Sequence, residues 1–132
     1  MAVTITRSVI TPVDAQTINT TATYTSAEQA LTDNALYEEV MLYVEVTGYA
    51  AAPAGNKRLT VKIAPVHTTS GSVFSDACPT YTFGVTADQT YRFAVPVAVL
   101  PRYFKVLVTN DTNQNTDANA VTVKLELKTV TA

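Results

Sequence analysis

Apolar residues recur at every second position along most of this chain, a spacing that fits a strand and no helix. In EEVMLYVEVTG, Val40, Leu42, Val44 and Val46 alternate with Met41, Tyr43, Glu45 and Thr47. KRLTVKIAPV sets Leu59, Val61 and Ile63 against Thr60 and Lys62, and YTFGV aligns Tyr81, Phe83 and Val85. YRFAVPV aligns Tyr91, Phe93, Val95 and Val97 against Arg92, Ala94 and Pro96. LPRYFKVLVTN gives Phe104, Val106 and Val108, and VTVKLELK gives Val121, Val123, Leu125 and Leu127 against Thr122, Lys124, Glu126 and Lys128. Successive strand side chains point to opposite faces, so each segment presents one apolar face and one mixed or polar face. An all-parallel sheet would be apolar on both. The pattern predicts an all-β fold: an antiparallel β-sandwich, jelly-roll or immunoglobulin-like, of about eight strands.

Composition points the same way. The chain holds 23 Thr and 18 Val among 132 residues, and branching at Cβ suits a pleated surface. A chain of this length fits one domain and buries roughly two thirds of its extended surface on folding. Ala50 to Asn56, Thr68 to Ser72 and Ser75 to Pro79 read as loops. Pro96 lacks an N–H, which puts its strand at an edge or gives it a bulge. At most one short helix is expected, and its candidate is residues 26–37, SAEQALTDNALY, where Ser26 and Gln29 have capping-box spacing. Its apolar residues are small and sparse, so it should be short. Residues 1–25 are Thr-rich, with Arg7 and Asp14 their only charges, and read as an extended N-terminal arm or edge strands. Residues 26–132 read as a single β-sandwich domain.

Several function classes are disfavoured. Nine Lys or Arg stand against eleven Asp or Glu, and Lys57-Arg58 is the only adjacent basic pair. Nucleic acid is therefore not expected as a partner, because phosphate binding needs clustered positive charge. MAVTITRSVITPV lacks the continuous apolar core of a signal peptide, and no apolar run is long enough to span a membrane. Asn19-Thr20-Thr21 and Asn110-Asp111-Thr112 match the glycosylation sequon, which means little without a secretory route. Cys78 is the only cysteine and His67 the only histidine. Two soft ligands do not make a zinc site, and nothing around Cys78 in SDACPTY marks a nucleophile. Glu38 and Glu39 fall on opposite faces of a strand. No nucleophile elbow, phosphate loop or metalloprotease helix motif occurs. The expectation is a protein that is not an enzyme, with no catalytic residue, cofactor or metal.

Two groups remain. Asp111, Asn113, Asn115 and Asp117 have the alternate spacing of a calcium loop, but Thr116 and Thr122 stand where an EF-hand needs Gly and Glu. Asn and Asp also cap their own turns, so the reading preferred is a plain hairpin connection. Among the seven tyrosines, Tyr43, Tyr49 and Tyr103 fall off the core parity or in loops. Exposed, they would suit a sugar platform or a protein interface; buried at a rim, they would only cover the core.

The order LYVEVTG, LTVKIAPVHTTSGSVFSD, YTFGVTADQTYRFAV, VLPRYFKVLVTNDT, VTVKLELK resembles a group of small virion proteins of tailed bacteriophages. The similarity spans about residues 40 to 128 and rests on strand patterns. It implies a β-sandwich that decorates a capsid or sits at a head or tail. On that resemblance the expected partners are the major capsid protein or other virion proteins and further copies of the chain. The expected place is the capsid surface of a virion, after synthesis in the host cytoplasm. A tail- or fibre-associated protein and a carbohydrate-binding module are the alternatives.

Overall fold

The computed structural model describes residues 3–31, 37–55, 57–98 and 100–131. The described residues form nine strands: β1 (Thr4–Gln16), β2 (Thr23–Thr25), β3 (Gln29–Ala30), β4 (Tyr37–Val46), β5 (Arg58–Pro65), β6 (Thr80–Gly84), β7 (Tyr91–Pro96), β8 (Tyr103–Asp111) and β9 (Val121–Thr131). They make two antiparallel sheets. One has the order β1-β9-β4-β7; the other has β2-β8-β5-β6, with β3 also paired to β8. The protein is all-β, as the alternation predicts.

The period-two residues meet between the sheets. Leu42, Val44, Val46, Val123 and Leu125 from one sheet, and Leu59, Val61, Ile63, Phe104, Val106 and Val108 from the other, are all buried. Burial of such a face is the main favourable term in folding. Phe83 of β6 stacks on Phe93 of β7 with ring centroids 4.5 Å apart, closing one side of the sandwich. Pro96 lies on β7, an edge strand, where a missing N–H costs no ladder bond.

One expectation needs correction: the last two strands are not a hairpin. β8 pairs with β2, β3 and β5, whereas β9 pairs with β1 and β4. Residues 112–120 therefore arch from one sheet to the other, and the two apolar sets meet face to face. The short helix allowed for at residues 26–37 does not form among the described residues; Thr32 to Leu36 lie outside them. Ser26 does not cap a helix. Its N–H donates to the Val106 carbonyl at 2.9 Å, and the Val106 N–H donates to its Oγ at 2.8 Å. Gln29 and Ala30 then pair with Phe104 and Tyr103. The sparse apolar residues had no helical stripe to bury, so strand pairing to β8 prevails.

β1 carries two bulges. Thr11 and Pro12 stand against Lys124 alone, and Asp14 and Ala15 against Thr122 alone. Each inserts one extra residue, so Ile10, Val13 and Gln16 share a face although they are three apart. Ala15 takes a left-handed backbone, φ 47°, and its N–H bonds the Thr122 hydroxyl at 3.2 Å.

Candidate functional site

The face of the β1-β9-β4-β7 sheet that points away from the core is built by the register. Opposed residues share a face, which gives the rows Ile5–Val130, Arg7–Lys128–Glu39, Val9–Glu126–Met41–Pro96, Lys124–Tyr43–Ala94 and Thr122–Glu45–Arg92. Among the described residues, ion pairs Arg7–Glu126 at 3.8 Å, Lys128–Glu39 at 3.1 Å and Arg92–Glu45 at 2.8 Å cross it. All three are solvent-accessible, so each contributes at most about 1 kcal/mol and mainly fixes side-chain positions. Beside them lie Val3, Ile5 and Val9, at 62%, 58% and 55% exposure, and Tyr43 at 40%. Among the described residues the other large apolar side chains left in solvent are Val73 and Phe74 of the 66–79 loop.

A groove of about 420 Å³ runs over the same face, lined by Asp14, Tyr43, Glu45, Arg92, Thr122 and Lys124 among others. The β1 bulges place Asp14 at its wall. Ala94 opposite Tyr43 leaves the ring uncovered on that side. An aromatic ring with two carboxylates and two cations around it can bind a polar, flat ligand or a complementary protein surface.

The tyrosines do not form one platform. Tyr43 is on this face, whereas Tyr103 is half-buried on β8 with the Arg102 guanidinium 4.7 Å from its ring centre. Tyr49 is 1% exposed and belongs to the core, so of the two alternatives it covers the core and offers no platform. Its backbone bridges to Thr116, and its N–H donates to Asp88 at 2.9 Å. The chain is thereby drawn inward after Gly48, and the ring fills the end of the sandwich. Burial, with a smaller contribution from Tyr91, pushes the Tyr49 phenol up to about 12. Its hydroxyl finds no hydrogen-bond partner among the described residues. For Tyr91, burial acts to raise the phenol. Hydrogen bonds to its oxygen from Thr86, Ala87 and Gln89 outweigh that and lower it.

The Asn/Asp loop is a latch. The Asn115 side-chain oxygen accepts from the Thr20 N–H at 2.8 Å, Asn113 accepts from the Ala54 N–H at 2.8 Å, and Asp111 pairs with Arg58 at 2.8 Å. Their oxygens face three separate donors and do not converge. Asn110, fully buried, donates to the carbonyls of Ile18 and Gln114 at 3.0 and 2.7 Å and accepts from the Thr112 hydroxyl. Ile18 and Thr116 exchange two further bonds, and Thr20 donates to the Thr112 carbonyl. Together they fasten residues 17–21, which carry the chain from one sheet to the other. His67 is exposed and meets Phe74 edge-on at 6.4 Å. The Cys78 thiol donates to the Ser75 carbonyl at 3.4 Å. Among the described residues no three His, Cys, Asp or Glu gather as a metal group, and no helix is long and apolar enough to cross a membrane.

The sequence reading missed the apolar stripe of Val3, Ile5 and Val9. Its signal was present, since VTITRSV alternates, but the Thr-rich composition suggested an arm without a preferred face.

No protein-family model matches the chain, and no curated protein matches it in sequence. Among solved structures it is similar to one described with Bacillus endospore appendages, a family of disulfide-linked pili. That match has a TM-score of 0.43 and 11% identity, over 100% of this chain and 93% of that one. It is also similar to the structure of Tomato Aspermy Virus, with a TM-score of 0.38 and 11% identity, over 96% of this chain and 76% of that one. At these scores neither likeness bears on function.

Proposed function

We propose that this chain is a non-enzymatic structural protein of a tailed-phage virion, bound to the major capsid protein on the outside of the capsid. Residues 26–132 supply the scaffold, and residues 1–25 supply the docking edge. The observation that carries the reading is the exposed apolar stripe of Ile5 and Val9 on β1, with Val3 just before it, at the edge of a sheet. Exposed apolar side chains in a contiguous strip mark interaction surfaces, and an unpaired strand edge adds backbone donors and acceptors to them. The strand order resembling phage virion proteins names the setting.

The test is sedimentation of the full-length protein with expanded, protein-free capsids, beside an Ile5→Glu, Val9→Glu double variant. Saturating, repeated occupancy is expected for the first, and at least tenfold weaker occupancy for the second. Equal binding of both would remove the stripe from the interface. Absence from capsids but presence on purified tails would move the protein to the tail or fibre.

A second reading, a carbohydrate-binding module, is favoured by the groove beside Tyr43 with Asp14, Glu45, Arg92 and Lys124 on its walls. Titration of the protein with host-surface oligosaccharides, against Tyr43→Ala, tests it. Binding lost in the variant would support it, and no binding by either protein would end it.

A further inference from the structure

We propose that β1 pairs antiparallel with β1 of a second copy of this chain, joining two four-stranded sheets into one across a two-fold axis at Thr6. The inference takes the interaction edge from the reading above but needs no capsid.

Proteins protect free strand edges by shortness, proline, bulges or charge. The other edges here show such devices. β7 has six residues and ends on Pro96, β6 has five, and β2 and β3 have three and two. β1 runs for 13 residues, and Thr4 to Ile10 oppose Thr131 to Leu125 without a register shift. That stretch has no proline, and its one charge, Arg7, lies 3.8 Å from Glu126 of its own chain. Thr4, Ile5, Thr6, Val9 and Ile10 are β-branched and suit pairing. From Val3 to Val9 every side chain is exposed, so none of the described residues covers this half of the strand.

The stretch is complementary to itself. Residues opposed in an antiparallel pair share a face, so an outward residue must meet an outward residue. With Thr6 on the axis, Val3 meets the partner's Val9, Thr4 meets the partner's Ser8, and Ile5 meets the partner's Arg7. All three exposed apolar residues gain an aliphatic neighbour, and Val3 to Val9 is used whole. Centring on Arg7 instead would oppose two guanidinium groups, an unfavourable cross-strand pair. It would also push the pairing into the bulges that begin after Ile10. Centring on Ile5 would leave Val9 beyond the paired stretch. The ribbon is only seven residues long. It falls well short of a standard interface of roughly 1,600 Å². Pairing is therefore weak in dilute solution and strengthens where copies are concentrated, as on a lattice.

Single-cysteine cross-linking of the full-length protein tests the register. In a Cys78→Ser background, Thr4→Cys, Ile5→Cys, Thr6→Cys and Arg7→Cys are oxidised under the same mild conditions. Opposed Cα atoms in an antiparallel pair lie roughly 4.5–5.5 Å apart, inside the span of a disulfide. Thr6→Cys should give the fastest covalent dimer, by at least tenfold. Thr4→Cys and Ser8→Cys should cross-link when mixed and not when alone. Sedimentation of the unmodified protein at rising concentration should show reversible dimers that Thr6→Lys abolishes. Equal cross-linking at all positions, a maximum at position 5 or 7, or a protein that stays monomeric at millimolar concentration would overturn the proposal. Capsid binding that persists while cross-linking fails sinks the pairing and leaves the lattice role. Cross-linking without capsid binding does the reverse.

Discussion

Replacing Tyr49 with Phe removes one oxygen from the end of the sandwich and leaves the ring in place. The ring is 1% exposed, and its hydroxyl has no partner among the described residues. Burying a hydroxyl without compensation costs about 1–3 kcal/mol, so its removal should stabilise the fold, by about 1 kcal/mol at pH 8 after the small void is allowed for. The pH dependence gives a sharper readout. Burial raises the phenol from 10.0 to about 12 in the folded state. The folded protein thus holds this proton more tightly than the unfolded chain. The associated stability is fully present below pH 10 and is lost as pH rises from 10 through 12. Two pH units at about 1.4 kcal/mol each amount to about 3 kcal/mol. The Phe variant lacks this loss, while every other titration is common to both proteins. Its advantage should grow from about 1 kcal/mol at pH 8 to about 3 kcal/mol at pH 12, where the folded-state phenol is itself half ionised. Urea unfolding followed by circular dichroism at pH 8, 10, 11 and 12 measures it. A variant less stable than the parent by more than about 1 kcal/mol at pH 8 would mean the hydroxyl is hydrogen-bonded. A difference that stays constant to pH 12 would mean the phenol is not desolvated.

Val106→Asp should destabilise by about 3 kcal/mol or more, because it buries a charge between the sheets, whereas Lys124→Ala on the outer face should change stability by about 0.5 kcal/mol or less. Equal losses in urea unfolding would shift the strand register by one residue. Asn110→Ala should cost about 3 kcal/mol, since it strips the bonds to the Ile18 and Gln114 carbonyls, and hydrogen exchange should speed up across residues 17–21. Unchanged exchange there would show that the latch does not hold that segment. Thermal melts with calcium and with chelator should coincide, because the oxygens of Asp111, Asn113 and Asn115 face separate protein donors. A shift beyond about 5 °C on chelation would reveal a bound ion that stabilises the fold by mass action.

The sequence by itself determined the strands of residues 40–128 and which face of each is apolar. From Val40 to Val46, Leu59 to Ile63, Phe104 to Val108 and Val121 to Leu127, the period-two positions are the buried ones. That follows because the face of a strand residue is set by its local parity. Parity does not say which strand lies alongside. Two alternating segments joined by a loop fit equally a hairpin or an arch between sheets. Only the pairing of β8 with β5 and of β9 with β4 decided for the arch. Nor does parity survive an inserted residue. The bulges of β1 bring Ile10 and Val13 to one face, and they depend on β9, which lies more than a hundred residues away. Ser26 bonds Val106 and Tyr49 bridges to Thr116, both across long stretches of chain, so neither fate was written nearby. The exposed stripe of Val3, Ile5 and Val9 has the same origin. Its alternation is local, but its exposure exists because no strand or loop of the described chain packs over that half of the sheet.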